Sequence, residues 1–286
     1  MIKATGLITE KSALYIISTP IGNLGDITLR ALEILRETDF ILCEDTRHSA
    51  KLLNHYSIKK PLYSYHKFNE RASCASVAAR LREGECAALI SDAGTPLISD
   101  PGLLLVQELI REGISFYAVP GANAVLPALI MSGFDTSGFD FRGFLPKNKN
   151  ERRKMLLDTA SSAYPCVFYA ASHELKSVLN LTAELFPDRS ISVSKELTKI
   201  HEATYRGTPS EAAGMIADDR GEFVIVLDAQ KTQKKELPET ADLFSEFSRL
   251  TSLMSRNDAL KELSVRYGIS RNDLYKILLA EPKNPL

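Results

Sequence analysis

Residues 87–113, AALISDAGTPLISDPGLLLVQELIREG, carry the pattern that decides the fold. Ala87 to Ser91 is a short apolar run of the kind that forms a strand buried on both faces. A loop dense in Gly, Pro, Asp and small hydroxyl residues follows, and Leu103 to Glu112 then reads as a helix stopped by Gly113. Working back along the chain, the same strand–loop–helix unit recurs. Ala13 to Thr19 is a strand stopped by Pro20 and Gly22, and Asp26 or Thr28 caps a helix through Leu29 to Glu37. Phe40 to Cys43 is a strand followed by a helix over Ser49 to His55, and Pro61 to Tyr65 precedes a helix over Glu70 to Glu83. Working forward, Ser115 to Val119 is a strand feeding a helix over Ala124 to Met131. Strands alternating with helices predict an α/β domain with a mostly parallel sheet, whose ligand crevice lies at the loops after the strand C-termini.

At Gly138 to Lys154 the periodic pattern gives way to Gly, Pro, Asn and basic residues, as expected of a junction between domains. A second α/β unit then reads as strands at Cys166 to Ala170, Ser190 to Val193 and Glu222 to Leu227, with helices at Glu174 to Leu185 and Glu211 to Ala217. Lys231 to Thr240 is polar enough for a linker. Beyond it, Asn257 to Tyr267 has helical spacing, Gly268 makes a turn, and Ser270 or Asn272 caps a helix bearing Leu274, Ile277 and Leu278. That is a helix-turn-helix-like pattern. The expected organisation is an N-terminal α/β domain over 1–142, a second over 143–235 and a helical segment over 236–286.

Composition narrows the function classes. Hydrophobic residues make up 44% and charged residues 25%, ordinary for a globular protein. Thirty-five basic against 36 acidic residues leave a formal charge of −1, so a chain coated in positive charge for non-specific nucleic-acid binding is unlike this one. Cys43, Cys74, Cys86 and Cys166 are scattered with no C-x-x-C pair, which suits reduced thiols and no metal site. No apolar run approaches the ~20 residues of a spanning helix, and Met1 to Lys11 lacks a secretory apolar core, so the expected location is cytoplasmic. There is no G-x-G-x-x-G after a strand, no G-K-[ST] and no G-x-S-x-G. Chemistry must therefore rest on four strand-end loops, Thr19 to Asp26, Glu44 to His48, Ser91 to Gly102 and Val119 to Ala124. A tight strand-to-helix turn explains the first of them better than a ligand does, and a plain helix start explains the second and fourth about as well. The loop after Ser91 is too long and too polar for connection alone.

In order, these loops resemble one family: ISTPIGNLGDITLRALEIL from Ile17, CEDTRHSAKLLNHY from Cys43, SYHKFNE from Ser64, ISDAGTPLISDPG from Ile90 and VPGANAVLPALIMSG from Val119. GFLP at Gly143, SKELTKIHEATYRGT at Ser194 and GEFVIVL at Gly221 extend the match. The chain resembles the ribosomal-RNA small-subunit methyltransferase I family, in the tetrapyrrole-methylase (class III) superfamily. The resemblance implies two α/β domains with S-adenosylmethionine in the cleft between them, commonly as homodimers. It implies 2'-O-methylation of a cytidine ribose in the decoding region of small-subunit (16S) ribosomal RNA. By position it assigns the cofactor to Asp92, Ala93, Gly94, Thr95, Pro96 and Ile98, and to Ala122, Asn123 and Ala124. Phe168, Tyr169 and Ala170 would face it from the second domain, with further contacts around Arg206 to Thr208 and Gly221–Glu222. The family reads close to FYESPHR where this chain has Phe168 to Glu174, so Glu174 stands in place of an arginine. The missing positive charge would have to come from elsewhere, Lys176 being one candidate.

A ribose hydroxyl needs alignment and a proton acceptor, and no metal. Asp45 and Glu44 are the first carboxylate candidates and Glu196 the second, with Lys195 and Arg47 as cations; a structural ion pair is the plain alternative for each. RNA contacts are expected from Arg47, His66 and Asn69, the last two beside aromatic Tyr65 and Phe68. The basic run Lys147, Lys149, Arg152, Arg153 and Lys154 adds phosphate contacts, as do Arg256, Lys261, Arg266, Arg271 and Lys276 in the tail. Two rivals remain. One is a class III methylase acting on a tetrapyrrole or a protein side chain, and the other a DNA-binding regulator with a metabolite-sensing α/β part.

Overall fold

The computed structural model describes residues 10–229, 240–252, 254–267 and 269–279. The chain forms two compact units, Met1–Ala229 and Gln230–Leu286. In the first, β1 (Ala13–Ile17), β2 (Phe40–Cys43), β3 (Leu62–Ser64), β4 (Ala87–Ile90) and β5 (Ser115–Val119) make a wholly parallel sheet in the order β3-β2-β4-β1-β5. Every residue of β1, β2 and β4 is buried, because helices cover both faces. Alternation along each strand divides the side chains between two cores. Tyr15, Ile17, Ile41 and Cys43 pack with Ile34 and Leu35 of α1 (Leu29–Glu37) and Leu53 of α2 (Thr46–His55). Leu14, Leu42 and Leu89 pack with Val77 and Leu81 of α3 (Glu70–Arg82) and Leu105 and Leu109 of α4 (Leu103–Glu112). All four cysteines are buried and unpaired.

The second sheet differs from expectation. Its order is β6 (Asp140–Phe144), β7 (Cys166–Ala171), β10 (Glu222–Leu227), β8 (Ile191–Lys195), β9 (Ala203–Gly207), and only β6 and β7 run parallel. Two of its strands escaped sequence reading. β6 lies where Gly, Pro and basic residues mask a strand, so the break expected between 142 and 143 falls inside it. β9 is a half-exposed edge with little apolar signal. The basic run after β6 is not a linker but α6 (Lys149–Leu157), capped by Asn148 accepting from the amides of Asn150 and Glu151. One face of this sheet packs on α7 (Ser172–Leu185) and α8 (Pro209–Met215). The other receives α5 (Val125–Ser132), whose Val125, Ala128 and Leu129 pack against Val167, Leu197, Val224 and Val226. A helix that follows the first sheet thus supplies core to the second, which ties both sheets into one unit.

The unit over Gln230–Leu286 is a small helical body with its own core. α9 (Thr240–Thr251), absent from the sequence expectation, places Leu243, Phe247 and Leu250 against Leu260 and Leu263 of α10 (Arg256–Tyr267) and Leu274 and Leu278 of α11 (Arg271–Leu279). Ser255 and Ser270 cap the latter two helices by accepting from the Asp258 and Asp273 amides. The two expected helices are present; the linker at 231–239, the Gly268 turn and the Arg266 side chain lie outside the described residues.

Candidate active site

The loops after β1, β4 and β5 are stitched together at the strand ends. Thr19 and Gly94 exchange backbone hydrogen bonds at 2.8 and 3.0 Å, and Thr19 Oγ1 donates to the Ser91 carbonyl. Ser18 Oγ lies 2.8 Å from Thr95 Oγ1, which donates to the Ala122 carbonyl at 3.3 Å. The loop between β4 and α4 is strained as well as tethered, with Leu97 at φ 71° and Ser99 at φ 70°, left-handed values that only surrounding contacts can enforce. Its far end is held by Glu70, whose buried Oε1 accepts from the amides of Gly102 and Leu104 at 2.9 and 3.0 Å. Gly102 has no side chain to cap α4, so Glu70 from α3 takes that role.

Against these loops the second sheet presents the ends of β7 and β8 and the start of β10. A cavity of about 420 Å³ lies between them, a size suited to a nucleoside-sized ligand. Ile21, Ile98, Ala124, Phe144, Tyr169, Leu197 and Val224 give it apolar and aromatic walls. Its charged lining consists of Asp92, Asp100 and Glu222, with no lysine or arginine among the lining residues. Such a lining disfavours a phosphate-bearing nucleotide and favours a ligand with positive charge. Asp92 and Asp100 have no salt-bridge partner among the described residues, whereas Glu222 meets Lys199 at 2.9 Å. Burial, reinforced by the neighbouring charges of Glu44 and Asp92, pushes the Asp100 carboxyl up to about 6 against a hydrogen bond from Ser91. Burial and the Asp92 charge likewise raise Glu44, which His66 partly offsets. Burial, with a smaller contribution from Asp100, pushes the Tyr169 phenol up to about 12.

A model of the tetrapyrrole (corrin/porphyrin) methylases matches residues 13–213. The chain is 39% identical over 274 residues to the ribosomal RNA small subunit methyltransferase I of Halalkalibacterium halodurans, covering 94% of this chain and 95% of that one. It is 44% identical over 220 residues to the protein of that name from Thermotoga maritima, covering 76% and 99%. This chain belongs to the ribosomal RNA small subunit methyltransferase I family of the tetrapyrrole methylases. Among solved structures, the methylase resembles the uroporphyrin-III-C-methyltransferase of Thermus thermophilus, with TM-score 0.56 at 20% identity over 77% of this chain and 94% of that one. It also resembles a diphthine synthase, with TM-score 0.58 at 12% identity over 76% and 90%. These two likenesses show the shared fold.

Tetrapyrrole-type methyltransferases use S-adenosylmethionine, and the lining of this methylase fits it: carboxylates for a cationic sulfur and amine, aromatic and aliphatic walls for the rest. Of the residues assigned to the cofactor from sequence, Asp92, Ala93, Thr95, Ile98, Asn123, Ala124, Tyr169 and Ala170 line the cavity. Gly94 and Pro96 are buried behind the loop, and Ala122 acts through its carbonyl on Thr95; these three shape the wall without lining it. Phe168 is misassigned. Strand alternation puts it on the face opposite Val167 and Tyr169, buried among the α7 core. Sequence reading missed Asp100, although it belongs to the same loop and the Asp-Pro-Gly turn marked it. It also missed Ile21, Phe144 and Leu197, which only the pairing of the two sheets brings in.

The catalytic and RNA assignments are reshuffled. Asp45 caps α2 and pairs bidentately with Arg47, at 3.2 Å to Nε and 2.9 Å to Nη2, and those bonds pull its carboxyl down to about 2. Lys195 donates to the Asp218 carbonyl at 2.7 Å and meets its carboxylate at 3.3 Å, outside the cavity lining. Glu196 accepts from Lys199 and the Glu222 amide, and these bonds hold it below its usual range although burial pulls the other way. Arg152 is no surface phosphate ligand. It is buried, donating to the Pro146 carbonyl, to Ser177 Oγ and, at 2.6 Å, to Glu174. Glu174 is thus held in an ion pair with Arg152, and this pair supplies no free positive charge in place of the family's arginine. Arg153 is exposed and paired with Glu184, and Lys154 is exposed. The Asn69 amide accepts from the His66 amide and donates to the Ser64 carbonyl, so it holds its loop in shape. His66 Nδ1 is buried without a partner, and Phe68 beside it is 96% exposed. Among the described residues no group of His, Cys, Asp and Glu is arranged to hold a metal ion, and no helix is long and apolar enough to cross a membrane.

Proposed function

We propose that the chain methylates the 2'-hydroxyl of a cytidine ribose in the decoding region of small-subunit ribosomal RNA, using S-adenosylmethionine. The observation that carries this reading is a cation-suited cavity at the strand ends of a chain 39% identical to a ribosomal RNA small subunit methyltransferase I. The loops after β4 and β5 would hold the donor, with Asp92 and Asp100 facing its positive charge. When bound, S-adenosylmethionine supplies a methyl already activated by the sulfonium. The chain's own work is to align the ribose, exclude water and accept one proton. Glu44 is the better acceptor. Its carboxyl is raised by burial and by Asp92, while that of Asp45 is committed to Arg47. The exposed ring of Phe68 offers a stacking surface for an unpaired base, and His66 Nδ1 a polar contact. Exposed Lys147, Lys149 and Lys154, with Arg256, Lys261, Arg271 and Lys276 on the helical unit, supply local positive charge for phosphate.

The reading extends to an assembled small subunit as substrate, a cytoplasmic location and a homodimer. Leu126 and Ile130 of α5, 47% and 72% exposed, supply apolar surface for the dimer, which sedimentation would detect. The test of the activity is transfer of labelled methyl from S-adenosylmethionine to small subunits lacking the modification, followed by nucleotide mapping. Label on one cytidine ribose is expected. Label on a base, or none on RNA with label on a tetrapyrrole, would overturn it.

A further inference from the structure

We propose that the unpaired carboxylates of Asp92 and Asp100 make this cavity select the positively charged methyl donor over its neutral-sulfur product. The inference rests on reading the cavity as the donor site and adds what sets its preference. Donor and product share adenosine, amine and carboxylate, and they differ by one methyl and one positive charge on sulfur. A single methyl discriminates weakly, by about tenfold to a few hundredfold in a well-fitted pocket and less in an open one. Charge is the second difference, and the two aspartates of the lining are placed to read it.

Three features point the same way. Asp92 and Asp100 both line the cavity, and neither has a salt-bridge partner among the described residues. The other carboxylate in the lining, Glu222, already has a cationic partner in Lys199, which it shares with Glu196. The loop that carries both aspartates is held open against strain, with left-handed Leu97 and Ser99 between them and Glu70 fastening its end. Asp92 acts on Asp100 as a like charge, and the loop cannot rearrange to separate them without giving up those contacts.

The groups acting on Asp100 are all neutral or negative. Glu44 comes from the end of β2, and Asp92 and the Ser91 hydroxyl from the end of β4; Asp100 in turn acts on the Tyr169 phenol of β7. His66 acts on Glu44 from the end of β3, and Lys199 is taken up by Glu196 and Glu222. A bound cation is thus the partner this cluster lacks. Once the methyl has left, the sulfur is neutral, its share of the attraction is lost while that of the amine remains, and the product is easier to release. Because the Asp100 carboxyl titrates near 6, mild acid would remove part of the attraction.

Calorimetric titration of the full chain with S-adenosylmethionine and S-adenosylhomocysteine, separately and from pH 8 to pH 5, tests this. In the native protein the donor-to-product affinity ratio is expected to fall about tenfold over that range. Asp100→Asn is expected to weaken the donor about tenfold, change the product less than about threefold and flatten the pH dependence. Retained product binding also shows that the variant is folded. Asp92→Asn keeps the oxygen that accepts the Asp45 amide and should shift the ratio in the same direction. A ratio that does not move with pH in the native protein, or equal losses for both ligands in the variants, would overturn the inference. Failure of the native chain to bind either ligand would instead overturn the donor-site reading beneath it.

Discussion

The loop after β4 and the second sheet treat their acidic side chains in opposite ways. On the side of the first sheet, Asp92 and Asp100 stand without cations, and Asp100 titrates near 6. On the side of the second, Glu174 lies on Arg152, Glu196 and Glu222 on Lys199, and Asp218 on Lys195 and Arg220. Paired carboxylates have their interaction satisfied within the chain and serve the fold. Unpaired ones keep an interaction in reserve, at a cost in stability that a cationic ligand can offset. Residue type alone does not separate the two groups. Sequence reading put Asp45 among the first catalytic candidates and passed over Asp100, yet Arg47 two residues away has already claimed Asp45.

The sharpest way to break this contrast is to unpair a carboxylate on the second side. Arg152→Ala leaves the largely covered Glu174 without its partner and is expected to cost about 3–5 kcal/mol in denaturant unfolding. Arg152→Met combined with Glu174→Leu should recover most of that loss, and no recovery would mean that the pair does more than neutralise charge. Next comes the fastening of the first side. Glu70→Leu strips the buried Gly102 amide and the part-buried Leu104 amide at the start of α4 of their acceptor and should cost about 2–3 kcal/mol. It should also weaken donor binding, because the loop holding Asp100 loses its anchor; unchanged affinity would show that the loop holds its shape unaided.

Two further expectations are smaller. In single-turnover methyl transfer, Glu44→Gln should slow the reaction at least about tenfold and Asp45→Asn less than about threefold. The reverse ranking would return the proton to Asp45. Last, Asp100→Asn should raise stability at pH 8 by about 1 kcal/mol, reduced for partial exposure. The sign follows from a folded pKa near 6, above the ordinary aspartate value. The stability this group contributes is fully present below about pH 4 and is lost as pH rises through about 6, so the gain from Asn should vanish in acid. Thermal unfolding at the two pH values reads it directly.

Much of the fold was legible because its signals are local. β1, β2 and β4 are continuous apolar runs closed by Gly, Pro or acidic residues, and Thr28 caps α1 as its position suggests. β6, β9 and α9 were not legible. The first two lie at sheet edges and need no strong apolar alternation, and α9 follows a polar stretch that hides its start. In the candidate site, the loop after β4 announced itself by composition, but the roles within it did not.

The sequence by itself determined the parallel first sheet, the strand-end loops and the family, because each rests on residues close together in the chain. Tertiary structure alone decided which charges are free. Arg152 and Glu174 are 22 positions apart, and Glu44 and Asp100 56 apart. Whether a carboxylate meets a cation or another carboxylate depends on the folding of two sheets around one cavity. The energy of that meeting falls with distance and with access to water, neither of which is written in the order of the residues.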